Sequence, residues 1–215
     1  YKRQFITPSE FLKKKLSLNG FEEKRIHCIP TFTASKTTIG EQQIGSYGLY
    51  FGRVTEEKGV ETVIKAYEKL PEYTVKIMGD DTTDEAKRLK KYVENHKMKN
   101  VEFLGFKSGA ELENVIKGAR FTLIPSIWYD NLPNTALESF QYSKPVIASN
   151  IGSLPELVID GENGYLFKPS NVEDLIRKIK MLDDDTLVKK MGQASRKRLE
   201  SRFAPQTHYE DLMKI

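Results

Sequence analysis

Apolar positions along this chain switch between two periods. Short runs at Tyr47 to Phe51, Tyr73 to Met78, Val101 to Leu104, Phe121 to Ile124, Pro145 to Ala148 and Tyr165 to Phe167 have the length and composition of buried strands. Between them, Val60, Val63, Ile64, Tyr67 and Leu70 recur at helical spacing, and Ala86, Leu89, Val93 and His96 mark one face of a second helix. Leu112, Val115 and Ile116 predict a short third helix, and Asn134 to Tyr142 a fourth. Alternation of this kind with short connections predicts an α/β fold, a Rossmann-like doubly wound parallel sheet covered by helices on both faces. Beyond the last strand, Val172, Leu175, Ile176 and Ile179 predict one helix, Leu187, Met191, Ala194 and Leu199 another, and Pro205 opens a final short one.

The front of the chain breaks this rhythm. Phe5-Ile6-Thr7, a helix from Ser9 to Leu18 and a strand from Arg25 to Ile29 form a lone strand-helix-strand unit. Thr31 to Ser46, rich in Thr, Ser and Gly, reads as a linker. The expected division is therefore 1–44 for the front unit and linker, 45–203 for the sheet domain, and 204–215 for a C-terminal helix.

Composition narrows the chemistry. The 215 residues are 39% hydrophobic, enough for a core, and no apolar run approaches the ~20 residues needed to cross a bilayer. The first residues carry neither a methionine nor the apolar core of a signal peptide, so the start reads as the cut edge of a longer protein. A lone Cys28 forbids an internal disulfide and suits a cytoplasmic setting. His27, His96 and His208 are far apart, without ligand spacing, which argues against zinc. Asp80-Asp81 and Asp183-Asp184-Asp185 stand just before helical periodicity, where carboxylates cap backbone N–H groups, so they read as caps rather than metal ligands. Residues 1–36 hold eight basic and three acidic side chains, a local excess above the +4 of the whole chain. That excess can meet an anionic lipid surface, although Lys13, Lys14 and Lys15 beside Phe11, Leu12 and Leu16 also describe a solvated helix face. Aromatics are not interleaved with the basic residues, so no nucleic-acid partner is expected.

In a doubly wound sheet, ligands bind beyond the carboxyl ends of the strands. No G-x-G-x-x-G follows any strand, G-x-S-x-G is missing, and Gly40 to Ser46 imitates P-loop spacing without its lysine or a following helix. Dinucleotide cofactors, Walker-type hydrolysis and a serine nucleophile are thereby disfavoured. What the strand ends do hold suits a diphosphate and sugars. Arg53 follows Gly52 at the end of the first sheet strand, and Lys58 comes five residues later, so both cations can face one crevice and neutralise a diphosphate without metal. After the fourth strand, Pro133 is placed to start a helix and to aim the amides of Asn134, Thr135, Ala136 and Leu137 at an anion. Glu138, one turn further in, can accept two hydroxyls of a ribose, and Asp130, eight residues earlier, those of a second ring.

These segments resemble the C-terminal, nucleotide-sugar-binding half of the GT-B-fold, family 4 (group 1) glycosyltransferases. The likeness is carried by Phe51-Gly52-Arg53 with Lys58-Gly59, Val101 to Phe106, Pro125-Ser126 through Glu138, Lys144 to Ser149, Gly152-Ser153-Leu154-Pro155-Glu156 and Asp160 to Gly164, in order over residues 45–168. Ile6 to Leu12 and Ile26 to Pro30 look like the last strand-helix-strand of that family's N-terminal domain. The resemblance implies that Arg53 and Lys58 hold a donor diphosphate and that the amides near Thr135 meet phosphate. It further implies that Glu138 is the second glutamate of the E-x7-E motif, binding ribose, while backbone around Phe106 and Lys107 reads the base edge. The first motif glutamate is Asp130 here, one methylene shorter, and Asp80-Asp81 replaces a Gly-rich turn.

The implied reaction is a retaining transfer of a hexose-type sugar from an NDP-sugar to a glycan or lipid-linked acceptor, in surface polysaccharide or lipopolysaccharide synthesis at the cytoplasmic face of a membrane. No cofactor and no metal are expected. The expected partners are the donor, the acceptor and a missing N-terminal GT-B domain, without which the 215 residues should hold donor but turn over little. Two alternatives stay open: a GT-B nucleotide-sugar epimerase or hydrolase, and a non-catalytic nucleotide-sugar-binding module.

Overall fold

A computed structural model describes residues 3–33 and 43–215. Most of the predicted linker, and with it the first three residues of the P-loop-like segment, lies outside the described residues. The front unit is β1 (Phe5–Thr7), α1 (Glu10–Leu18) and β2 (Ile26–Cys28), whose two strands pair in parallel. The sheet domain runs β3 (Tyr47–Phe51), α2 (Val60–Glu68), β4 (Thr74–Met78), α3 (Asp84–Asn95), β5 (Val101–Gly105), α4 (Gly109–Lys117), β6 (Ala119–Ile124), α5 (Asn134–Gln141), β7 (Val146–Ser149), α6 (Leu154–Leu157) and β8 (Gly164–Phe167). Helices α7 (Val172–Lys180), α8 (Asp185–Arg202) and α9 (Pro205–Leu212) complete the chain. The four-residue α6 has no periodic signal of its own and was not expected from the sequence.

All six strands of the large sheet are parallel, in the order β5-β4-β3-β6-β7-β8. This is the predicted Rossmann-like arrangement. The chain steps outward from β3 to β5, then returns to β6 on the other side of β3 and steps outward again. The order reverses between β3 and β6, and connections leaving those two strands diverge and open a crevice at their carboxyl ends.

Alternation along the strands divides the core in two. Tyr50, Leu123, Ile147 and Phe167 point to the face covered by α2, α3 and α7, where they meet Ile64, Leu89 and Ile179. Leu49 and Phe51 point the other way toward Ile116 of α4, and Val146 and Ala148 toward Leu137 and Phe140 of α5. Side chains at Ser9, Thr83, Asn171 and Asp184 accept amide hydrogen bonds at the starts of α1, α3, α7 and α8. The expected capping role thus holds for Asp184. It fails for Asp80 and Asp81: Asp80 instead closes a turn by accepting from the amide and hydroxyl of Thr82, and Asp81 pairs with Lys90. Thr83, with a side-chain oxygen at the right distance from the helix, takes the cap instead.

One buried lysine ties the sheet to its periphery. Lys144, 1% exposed, donates to the carbonyls of Gln43, Lys117 and Ala119 at 2.6, 2.6 and 2.7 Å. Burial lowers its pKa to about 8, and the three oxygens replace the water it has lost.

Candidate functional site

The crevice between β3 and β6 is built from turns that require particular residues. β3 ends at Gly52, whose φ of +144° favours glycine, and Arg53 follows. A 3-10 turn at Glu56–Lys58 then precedes Gly59, which starts α2 at φ +67°. Lys58 therefore ends a separate turn, before α2 begins. A Cβ on Gly59 would stand 2.1 Å from the carbonyl oxygen of Pro125, so only glycine lets this turn lie against the loop leaving β6. The amide of Ile127 donates to the Glu57 carbonyl at 3.0 Å and fastens the two together.

That fastening brings Lys58 to Asp130. Lys58 Nζ lies 2.5 Å from Asp130 Oδ1, with the two side chains only 20% and 14% exposed. Ser126, buried, donates its hydroxyl to Oδ2 of the same carboxylate. The main chain at Asp130 is held as firmly, since the Ser153 hydroxyl donates to its carbonyl and accepts from the Leu132 amide, both at 2.7 Å. Gly152, at φ +62°, lets the segment before α6 approach the backbone of Tyr129 and Asp130 closely. Leu132 itself sits at φ +57°, a conformation costly for a leucine and sustained here by the bonds around it.

Two cavities open on this framework. The first, about 370 Å³, is polar and is lined by Tyr50, Lys58, Ser126, Asp130 and Asn134 among others. The second, about 300 Å³ and largely apolar, is lined by Met78, Phe106, Lys107, Leu112 and Glu138 among others. Phe51, Gly52, Arg53 and Thr135 line both, so the chambers meet at the end of β3 and the head of α5. Gly52, Arg53, Lys58, Phe106, Lys107, Asp130, Asn134, Thr135 and Glu138 each line one chamber or both, whereas Ala136 and Leu137, whose amides were also expected to face an anion, line neither.

Their states differ from one another. Arg53 is 73% exposed, its guanidinium paired among the described residues only with Glu57, at 3.9 Å. Glu138 is half-buried, forms no hydrogen bond or ion pair with any described residue, and has its pKa raised by burial. A desolvated carboxylate without a partner is stabilised by any hydroxyl pair that enters the apolar chamber. Pro133 is the cap of α5 rather than its first residue, and its carbonyl accepts the Ala136 amide at 3.1 Å. One of the four amides expected to cradle an anion is thereby occupied, and Asn134 and Thr135 head the helix. Tyr50 donates its hydroxyl to the Arg53 carbonyl, and burial, with Asp130 and Glu57 nearby, pushes its pKa upward. Ser126, Ser153 and Tyr50 went unassigned in the sequence reading; Ser126 and Ser153 lie in the quoted motif segments, but only the fold shows what they hold.

The front unit is fastened to the loop after β6 and to α6, and its described residues line neither chamber. The Ser9 hydroxyl donates to Asn131 Oδ1 at 2.8 Å, and the carboxylate of Glu156 accepts from the amides of Glu10 and Phe11 at 2.9 and 2.7 Å. The Phe11 ring meets Tyr129 at 5.1 Å between centroids, with the Lys15 ammonium over both rings. From the C-terminal end, His208 Nδ1 lies 2.7 Å from the Pro30 carbonyl and its ring 4.7 Å from Phe32.

The family model described as glycosyl transferases group 1 matches residues 38–198. An uncharacterized glycosyltransferase of Methanocaldococcus jannaschii is 32% identical over 69% of this chain and 41% of its own length. Glycogen synthase of Mycobacterium tuberculosis is 31% identical over 82% of this chain and 42% of its own length. Among solved structures, Anabaena HepE in complex with UDP and glucose superposes with a TM-score of 0.88 at 19% identity, over 100% of this chain and 62% of that one. The chain thus spans about two fifths of the curated relatives it matches.

Proposed function

The chain belongs to the group 1 glycosyl transferases, and we propose that it forms the donor-binding half of a retaining, metal-independent GT-B enzyme acting on a nucleotide sugar. The observation that carries this reading is the pair of chambers joined at Arg53 and Thr135. The apolar chamber suits a nucleobase beside Phe106 and a ribose whose two hydroxyls donate to the unpartnered Glu138. The junction suits the diphosphate, faced by the Arg53 guanidinium and the first amides of α5. The polar chamber, with Lys58 and Asp130, suits the sugar end. A UDP-hexose is the natural first probe, since HepE was solved with UDP and glucose.

In the proposed reaction the bond between the anomeric carbon and the β-phosphate oxygen breaks. The acceptor oxygen bonds to that carbon on the face the phosphate leaves, and the acceptor's proton passes to a phosphate oxygen. The protein supplies no nucleophile in this scheme; Arg53 and Lys58 stabilise charge that grows on the departing diphosphate. We take the front unit as the end of the N-terminal GT-B domain and place the acceptor, a glycan or lipid-linked chain of a surface polysaccharide, on that side. None of the described helices is long and apolar enough to cross a membrane, and the basic residues of α1 suit a peripheral contact with anionic lipid at the cytoplasmic face.

A thermal-shift panel of UDP-, GDP-, ADP- and CMP-sugars tests the reading, because a ligand that binds only the folded state raises the melting temperature. At least one should stabilise the protein, with or without a chelator present. Failure of every one to bind at millimolar concentration in calorimetry would overturn the site, and loss of binding with chelator would overturn its metal independence.

A further inference from the structure

We propose that Lys58 and Asp130 are a charge-exchange pair, in which an arriving diphosphate takes Lys58 away from Asp130 and leaves the carboxylate to read the donor sugar. The inference rests on the donor-site reading above and goes beyond it by assigning Asp130 a second duty, as the resident anion of the unliganded site.

The geometry points this way on three counts. The pair is close, 2.5 Å, and largely withdrawn from water, so neither charge is satisfied by solvent. The two ends of the carboxylate are held unequally: Oδ2 receives the hydroxyl of Ser126, itself 1% exposed, whereas Oδ1 receives only the end of a long, flexible lysine chain. The main chain at Asp130 is fixed by Ser153 on its carbonyl, so the side chain cannot follow Lys58 if Lys58 leaves. Withdrawal of the ammonium therefore exposes Oδ1 at a fixed point in the polar chamber, while Oδ2 stays anchored. A phosphate oxygen is the competitor for which a lysine would leave a carboxylate, because it carries equal or greater charge and the exposed Arg53 beside it is held only by a long 3.9 Å pairing with Glu57 among the described residues.

The exchange couples two recognition events. Before the diphosphate binds, the accepting lone pairs of Oδ1 are directed at an ammonium, and a sugar hydroxyl finds a poor acceptor. Afterwards the same oxygen is an unpaired carboxylate in a shielded chamber and accepts hydroxyls strongly. Sugar discrimination is thereby withheld until the diphosphate is in place, and a free monosaccharide should bind far more weakly than its contacts in the donor complex would suggest.

The test compares UDP with UDP-glucose by calorimetry on the wild type and on the Asp130→Asn, Lys58→Met and doubly substituted proteins, with melting temperatures confirming that each is folded. Asn keeps the shape and the Ser126 bond but removes the competing charge. Exchange predicts that Asp130→Asn tightens UDP by about threefold to tenfold, the scale expected for a partly shielded ion pair. It also predicts that UDP-glucose gains less, so that the preference for UDP-glucose over UDP falls, and that the tightening disappears when Lys58 is Met. Unchanged or weaker UDP binding in Asp130→Asn, or tightening that persists without Lys58, overturns the exchange while leaving the donor site standing. A wild type that binds neither ligand nor the GDP and ADP counterparts overturns the donor-site reading itself. Should Asp130→Asn not fold, Ser126→Ala serves in its place. By freeing Oδ2 it should lower the preference for UDP-glucose with little change in UDP affinity, and an unchanged preference counts against the proposal.

Discussion

Glu138 and Asp130 are both carboxylates of the same motif, yet their surroundings give them opposite tasks. Asp130 is satisfied in the unliganded fold by Lys58 and Ser126, whereas Glu138 has no partner among the described residues and is left desolvated in an apolar chamber. Replacing Glu138 with Ala should therefore weaken nucleotide binding by about tenfold to a hundredfold, the scale of one or two hydrogen bonds to a charged acceptor. Asp130→Ala, which frees Lys58 from its resident anion, should instead tighten UDP, and calorimetry with UDP decides the order. The raised pKa of Glu138 gives the effect a pH signature. Only the ionised carboxylate accepts from both ribose hydroxyls, so affinity is full above the raised pKa and falls as pH drops through it, beginning higher than an ordinary glutamate would allow. UDP-glucose is the ligand to use, because its pyrophosphate diester has no group titrating in that range. Glu138→Gln should bind weakly at every pH, with the slope gone; a slope that survives in Gln would assign the titration elsewhere.

The elements that hold these residues were legible to different depths. Six strands and the helices between them follow from the switch of apolar period, because the inner strands are buried on both faces and the helices along one stripe. The crevice followed as well, since the reversal of strand order puts the loops after β3 and β6 side by side. The pairing of Lys58 with Asp130 was not legible, because 72 residues separate them and their meeting depends on how closely two backbones approach. Nor was the failure of Asp80 and Asp81 as helix caps, since α3 takes its cap from Thr83, three and two residues further on. Gly59 shows what the sequence did contain in disguise: a glycine after a lysine is the mark of the backbone contact that positions the lysine. Gly59→Ala adds a Cβ at φ +67° and 2.1 Å from the Pro125 carbonyl, so both strain and clash oppose it. A loss of about 2 kcal/mol in stability by urea unfolding is expected, together with weaker UDP binding as Lys58 is pushed from the chamber. By contrast, Lys144→Met should cost about 3 kcal/mol, because three carbonyls lose their donor. UDP affinity should be retained in the folded fraction, as Lys144 lines neither chamber.

Across the whole molecule, the front unit is fastened to the rest of the chain at Asn131, the residue next to Asp130. Asn131 accepts from Ser9, the cap of α1, while Glu156 of α6 accepts the next two amides of that helix. Helix α1 thus owes the satisfaction of its first two N–H groups to Glu156, and the seating of its capping Ser9 to Asn131, in the segment that carries Asp130. Any ligand that orders the loop from Trp128 to Leu132 must also steady α1, and loosening α1 must be felt at the loop, by reciprocity of the coupling. Hydrogen exchange measures both directions. Glu156→Gln keeps the acceptor geometry partly but removes the charge facing the helix dipole, which is worth about 1 kcal/mol and should speed exchange of the Glu10 and Phe11 amides about fivefold. Saturating UDP-glucose should slow exchange of the same two amides in the wild type, although they lie outside both chambers, and should do so less in Glu156→Gln. If the ligand protects the 126–138 segment and leaves α1 untouched, the front unit is a passive neighbour.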